Sequence, residues 1–201
     1  MRRALHTASP SLSTRDRILK ALLEILTKNG YQSFTTTQVA SYAGISITTL
    51  YRYFPNKSSL TFFVIDYRLD LCAITMEEAC RKQHGKTLQK MVQTLVSAYC
   101  NVNFEWPDVT KVVDRSIDDI DKTALLSSFN RRVEAATSAM LLTASDVVFS
   151  NLSLTSLTLL TALFGAVRGI IERDLPSEIL PDIHGELTRM CLAYLEAVST
   201  S

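Results

Sequence analysis

Residues 35–60, TTTQVASYAGISITTLYRYFPNKSSL, constrain the fold more than any other stretch, because two short helices with their own start signals surround one glycine with almost no spare residues. Thr35 and Gln38 have capping-box spacing, and Val39, Ala40 and Ala43 form the apolar stripe of a short helix. Gly44 accepts the left-handed backbone that a tight helix end requires, and Ser46 caps a second helix, Ile47 to Tyr53. Helices joined so closely must cross sharply. This is the build of a helix-turn-helix, which places its second helix in the DNA major groove with its first residues against base edges.

Two short helices around a glycine also occur in all-α proteins of other function, so the flanking residues matter. Tyr51, Arg52 and Tyr53 crowd two phenols and a guanidinium onto less than two turns, and Phe54-Pro55 stops the helix. Asn56 caps a third helix whose first residue, Lys57, has the wrong charge for a helix N-terminus and the right one for a phosphate. Ser58 and Ser59 add hydroxyls at the same end.

Together these residues resemble the N-terminal domain of TetR-type one-component transcriptional regulators. Thr35, Val39, Ala40, Ala43, Gly44, Ile45, Ser46, Leu50, Tyr51, Tyr53, Phe54, Lys57 and Leu60 fall in register with that family's pattern, while Ile47 and Thr48 stand where the family often has Lys then Gly. The resemblance implies an all-α protein with an N-terminal three-helix DNA-binding domain and an all-helical effector-binding and dimerisation domain. The expected DNA-binding residues are Thr35, Thr36, Ser46, Ile47, Thr48, Thr49, Tyr51, Arg52, Tyr53 and Lys57. It further implies a homodimeric repressor, released from a palindromic double-stranded operator by a small-molecule effector.

Upstream, Arg15 to Lys28 reads as an amphipathic helix capped by Ser13, with Asp16 three residues later, Ile18, Leu19, Leu22, Ile25 and Leu26 at helical spacing, and Asn29-Gly30 closing it. Residues 1–12 lack periodicity and read as a disordered basic arm, residues 13–57 as the DNA-binding domain and residues 58–201 as the body. Charge divides the same way. Residues 1–57 hold eight Lys and Arg against Asp16 and Glu24, net +6, whereas the remaining thirteen cations and eighteen acids give −5 and the whole chain +1. A cationic head on an anionic body steers one end of a protein to a polyanion.

The body reads as helical throughout. Lys57 to about Arg81 forms one long helix with Leu60, Phe63, Val64, Tyr67 and Leu71 on one face, spanning about 36 Å at the helical rise. Gln83-His84-Gly85 breaks the chain before a helix marked by Leu88, Met91, Val92, Leu95, Val96, Tyr99 and Cys100. Pro107 suits the first turn of a short helix over Asp108 to about Ile120, with an acidic patch of Asp114, Asp118, Asp119 and Asp121, and Ala124 to Leu142 forms a longer one. No internal repeat or β-hairpin signal is present.

Leu152 to Glu172 and Ile183 to Val198 match the two last helices that the resemblance assigns to a four-helix dimer interface. Leu159, Ala162, Gly165, Ala166 and Gly169 on the first, with Leu187, Met190, Cys191 and Tyr194 on the second, are the expected contacts; ordinary intrachain core is the alternative. The effector pocket is expected between Leu88 and Met140, lined by Tyr99, Asn103, Phe104, Trp106, Phe129 and Arg132. Of Arg131 and Arg132, consecutive on a helix, at least one must face solvent.

The rival is an all-α ligand-binding protein or enzyme with a fortuitous helix-turn-helix-like corner. His6, His84 and His184 lie in the arm or at breaks, and no HExxH, GxSxG, phosphate-binding loop or dinucleotide fingerprint occurs, so no catalytic function and no cofactor are expected. Cys72, Cys80, Cys100 and Cys191 lack metal-ligand spacing, which leaves no metal site expected and a thiol sensor as an open alternative. No targeting signal is evident and apolar stretches are interrupted by Thr, Ser, Arg or Glu, so a cytoplasmic protein without a membrane partner is expected.

Overall fold

The computed structural model describes residues 12–115, 122–173 and 175–200. Near the N-terminus each helix begins where a side chain closes its first turn. Helix α1, Thr14–Ser33, starts at Ser13, whose hydroxyl accepts from the Asp16 N–H while the Asp16 carboxylate accepts from the Ser13 N–H. Helix α2, Thr36–Tyr42, has the same reciprocal pair in Thr35 and Gln38; α3, Ile47–Tyr53, is capped by Ser46, and α4, Lys57–Lys82, by Asn56 with Ser59.

The end of α1 departs from the sequence reading: the helix runs through Asn29-Gly30 to Ser33, with Phe34 as its C-cap. Phe34 is only 1% exposed. Burying a phenyl ring gains about 1.5–3 kcal/mol, more than the roughly 1 kcal/mol a glycine costs inside a helix.

The body comprises α5, Leu88–Glu105; α6, Pro107–Arg115; α7, Thr123–Leu141; α8, Leu152–Glu172; and α9, Leu180–Val198, entered through a 3-10 turn at Ser177–Ile179. Residues 1–11 of the arm expected over residues 1–12, and the stretch of the expected short helix beyond Arg115, lie outside the described residues, as do the side chains of its acidic patch. One feature had no sequence signal: β1, Val148–Phe149, pairs antiparallel with β2, Ser199–Thr200, because the chain end returns along the loop between α7 and α8.

Among the described residues two apolar clusters form. The head core joins Ile18, Leu22, Ile25, Phe34, Val39 and Leu50 with Leu60, Val64 and Ile65 of α4 and with Val109 of α6. The body core joins the second half of α4 to α5, α7, α8 and α9. Helix α4 therefore runs through both, and α6 lies against α1 as well as α4 and α5. The buried face of α4 is rotated from the expected one: Leu60, Val64, Arg68, Cys72, Met76 and Cys80 form its inner row, while Phe63, Tyr67 and Leu71 are half-buried. Packing between α5 and α7 favours an i, i+4 ridge over the broader stripe read from the sequence. Helix α8 is long and apolar enough to cross a membrane by length and composition, with 39% of its apolar window buried in this fold.

Candidate nucleic-acid interface and effector region

The turn between α2 and α3 is built around Gly44 at φ +63°, with the Ile45 N–H donating to the Ala40 carbonyl at 3.0 Å and the Gly44 N–H to the Ser41 carbonyl at 3.0 Å. From α1, Arg17 Nη2 donates to the Gly44 carbonyl at 2.7 Å, so the first helix locks the turn from behind. Sequence reading missed this tie, which links residues distant in the chain.

Leu50 alone anchors α3 as a fully buried side chain, and the remaining surface of that helix is open. Ile47 is 36% exposed, Tyr51 45% and Tyr53 47%, with Thr48 and Arg52 also exposed beside them. Several expected DNA contacts are organised by hydrogen bonds. Tyr51 Oη lies 3.1 Å from Thr36 Oγ1 and thereby joins α3 to α2, Ser46 Oγ lies 2.8 Å from Thr49 Oγ1, and Thr35 Oγ1 donates to Gln38 Oε1 at 3.2 Å. Lys57 Nζ sits 4.3 Å from the Phe34 ring centroid, at the junction of α1, α2 and α4. Tyr42, 53% exposed, and Lys28, 5.6 Å from its ring, form a further exposed pair on the head and were not among the expected residues. The surface thus offers hydroxyls, one guanidinium and a methyl-rich side chain, which suits phosphate oxygens and thymine methyl groups.

The expected pocket residues separate into groups. Tyr99 and Phe129 meet in the body core, each packed on Phe164 of α8, with ring centroids 4.4 and 5.5 Å apart. Asn103 is buried nearby and donates to the Tyr99 carbonyl at 2.8 Å. Phe104 is half-buried against the body core, whereas Trp106 packs against the head core. Arg132 does not point inward as expected. Its guanidinium donates to Glu77 Oε1 and Oε2 at 2.8 Å each and to Asp70 Oδ1 at 2.7 Å, bracing α7 on α4 at the surface. These contacts raise its pKa further, so it remains a cation already matched with carboxylates. Arg131 is exposed, beside a shallow depression lined by Thr123, Leu126, Ser127, Asn130 and Glu134 that opens to solvent away from the aromatic group. Among the buried cations is Arg68 of α4, which sequence reading passed over although it stands on the i, i+4 row of apolar residues.

Comparison with known proteins rests on both halves. The model of bacterial regulatory proteins of the tetR family matches residues 18–62, and that of the tetracyclin repressor-like C-terminal domain matches residues 87–195, more than half of the chain. The chain belongs to the TetR family. Family and fold point to a regulator rather than an enzyme. The nucleoid occlusion factor SlmA of Shewanella woodyi is 33% identical over 93 residues, covering 44% of this chain and 46% of that one; the chain spans about half the length of the curated relatives it matches. A TetR-family regulator from Mesorhizobium loti superposes with a TM-score of 0.76 at 15% identity, over 95% of this chain and 100% of that one. The regulator FadR of Bacillus subtilis, in complex with stearoyl-CoA, superposes at 0.69 with 14% identity over 89% and 97%.

In this TetR-family chain α8 and α9 divide the expected interface residues by burial. Leu159, Leu187 and Cys191 are 2%, 5% and 2% exposed and belong to the core of their own chain, which corrects their expected place at a surface. They face α5 and α7 because those helices cover one side of the α8–α9 pair. Ala162, Gly165 and Met190 are exposed, Ala166, Gly169 and Tyr194 half-buried. Leu154 and Leu157, 58% and 47% exposed, lie on the outward side of α8 and were not named from sequence. A Cβ on Gly165 or Gly169 would meet nothing within 4 Å.

All four cysteines are buried free thiols. Burial pushes Cys72, Cys80 and Cys191 up to about 11 and Cys100, with Cys191 beside it, to about 12. They are therefore protonated at neutral pH, which removes the thiolate a redox sensor uses.

Proposed function

We propose that this chain is a cytoplasmic, homodimeric repressor whose two heads bind an inverted-repeat operator and release it when a small molecule enters the body. The observation that carries the reading is the open face of α3, where Ile47, Tyr51 and Tyr53 are exposed on a helix anchored inward by Leu50. Apolar and aromatic side chains are held in water there at the first turns of a recognition helix, where base edges would cover them. Thr35, Thr36, Ser46, Thr48, Thr49 and Arg52 would surround that contact, with Lys57 on a phosphate. The outward sides of α8 and α9, with Leu154, Leu157, Ala162, Gly165, Gly169 and Met190, would meet the same surface of a second copy, placing the heads about 34–36 Å apart or a multiple of it. A ligand complex in a neighbour of the same fold supports a small-molecule effector.

Gel shift on the DNA upstream of the chain's own coding sequence tests this reading, joined to sedimentation of the free protein. Lys57→Ala should weaken binding to all sequences and lower the salt slope by about one unit. Replacing Gly169 by Leu should yield helical monomers with much weaker operator binding. A wild-type monomer at micromolar concentration, or an operator without two-fold symmetry, would refute the assembly.

A further inference from the structure

Arg68 is 3% exposed in the middle of α4, yet its guanidinium is only partly matched. Nη2 donates to the Val102 carbonyl and to Thr110 Oγ1 at 3.1 Å, and lies 3.5 Å from Asn103 Oδ1. Nε and Nη1 are buried without any acceptor. Among the described residues no carboxylate forms an ion pair with it, and Glu105, whose charge reaches it, is itself exposed. Buried arginines are ordinarily paired, because each unmatched donor forfeits the hydrogen bonds it had in water. Burial pulls the guanidinium below its usual range, with Cys72, Tyr99, Glu105 and Tyr67 acting the other way, but an arginine stays charged.

The chemistry around this cation is mixed. Cys72 shares α4 and approaches the Asn103 side chain, while the Tyr99, Phe164 and Phe129 rings form an apolar wall across α5, α8 and α7. We propose that Arg68 anchors an effector with an anionic head and an apolar body, a monocarboxylate that accepts from Nη1 or from Nε, which open onto different edges of the guanidinium, while its aryl or alkyl portion packs against Tyr99, Phe164 and Phe129. The proposal rests on the ligand-responsive reading above and names the class of its ligand. Arg68 is well placed to report occupancy. Through Nη2 it ties α4 to Val102 and Thr110, and Thr110 adjoins Val109, which is buried in the head core. A carboxylate that draws the guanidinium toward itself loosens that tie and frees α6 to shift against α1.

The test uses the full chain with probes of one tail and different heads: octanoate, 1-octanol and octylamine, with acetate to decanoate as a length series. Members of the carboxylate series should raise the thermal midpoint and release DNA, and the alcohol and amine should not. Arg68→Met should bind octanoate at least about tenfold more weakly by calorimetry, since hydrogen bonds to a charged group are lost. If Arg68→Met does not fold, Arg68→Gln gives the same comparison. Unchanged octanoate affinity in either variant, an equal response to alcohol or amine, or no response to any carboxylate overturns the anchor. Release by the alcohol or amine alone would leave the ligand-responsive reading standing, and carboxylate binding without DNA release would sink that reading while keeping the anchor.

Discussion

The head and the body stop and start their helices by different means. In the head, α1, α2, α3 and α4 each begin at a side chain that closes the first turn: Ser13, Thr35, Ser46 and Asn56. In the body, α5, α7 and α9 have no such cap from their own N-cap residue, whereas α8 does, at Asn151. The first N–H of α5 is instead satisfied by Asp146, 58 residues away, which accepts from Leu88 at 2.9 Å. Helix ends fixed by neighbours in sequence keep their geometry when distant packing changes. Those fixed by packing follow it, so the helix starts of the head are set locally and those of the body by its tertiary contacts.

Core truncation should break this comparison most forcefully. Leu95→Ala, at a body position 1% exposed, should lower stability by about 2–5 kcal/mol in urea denaturation without altering operator affinity of the folded fraction. Loss of affinity in step with stability would show that the head does not keep its geometry independently.

Alkaline pH sharpens the contrast, since all four thiols lie in the body core. A thiol whose folded pKa is raised is stabilising below its unfolded pKa, and the benefit disappears as pH climbs through the folded value. For Cys72, with a folded value of about 11 against 9.0, the window is pH 9 to 11. Wild type should lose stability relative to Cys72→Val across that window, at a slope approaching about 1.4 kcal/mol per pH unit. Parallel curves for the two proteins would place the thiol outside the dry core.

Ile47→Ala should act on the head alone, costing about 1–3 kcal/mol at one operator position with no change in thermal midpoint; equal losses on specific and random DNA would assign Ile47 to positioning. Gly44→Ala should cost about 1–2 kcal/mol from the left-handed backbone at φ +63°, and the new Cβ would stand 2.9 Å from Arg17 Nη2. The smallest effect belongs to Arg132→Ala. Its guanidinium is a third exposed and its partners more so, so stability should fall by less than about 1 kcal/mol, and effector response should be unchanged.

What was legible in the sequence follows the same division. The reciprocal pairs Ser13 with Asp16 and Thr35 with Gln38, and the caps Ser46 and Asn56, stand where the spacing put them, because each involves groups three residues apart. The extent of α8 was legible as well from its long apolar run, although its cap, Asn151, was not read from the sequence. Asn29-Gly30 misled because Phe34 is drawn into a head core that includes Leu50, Leu60 and Val64, which no local window contains. Arg132 and Arg68 were exchanged for a related reason: both stand on helices beside acidic residues, and burial depends on which helix crosses which.

By itself the sequence determined that the chain is helical, where the head's helices begin, that Gly44 turns the recognition pair, and that positive charge gathers at one end. Those properties depend on groups a few residues apart or on simple sums. Tertiary structure alone decided that α4 turns Arg68 inward, that Asp146 closes α5, that Arg132 spends its charge on Glu77 and Asp70, and that Leu159, Leu187 and Cys191 belong to the chain's own core. Each of these is a contact between segments distant in sequence. Its existence depends on the crossing of whole helices, which the summed burial of apolar surface sets and no single stretch records.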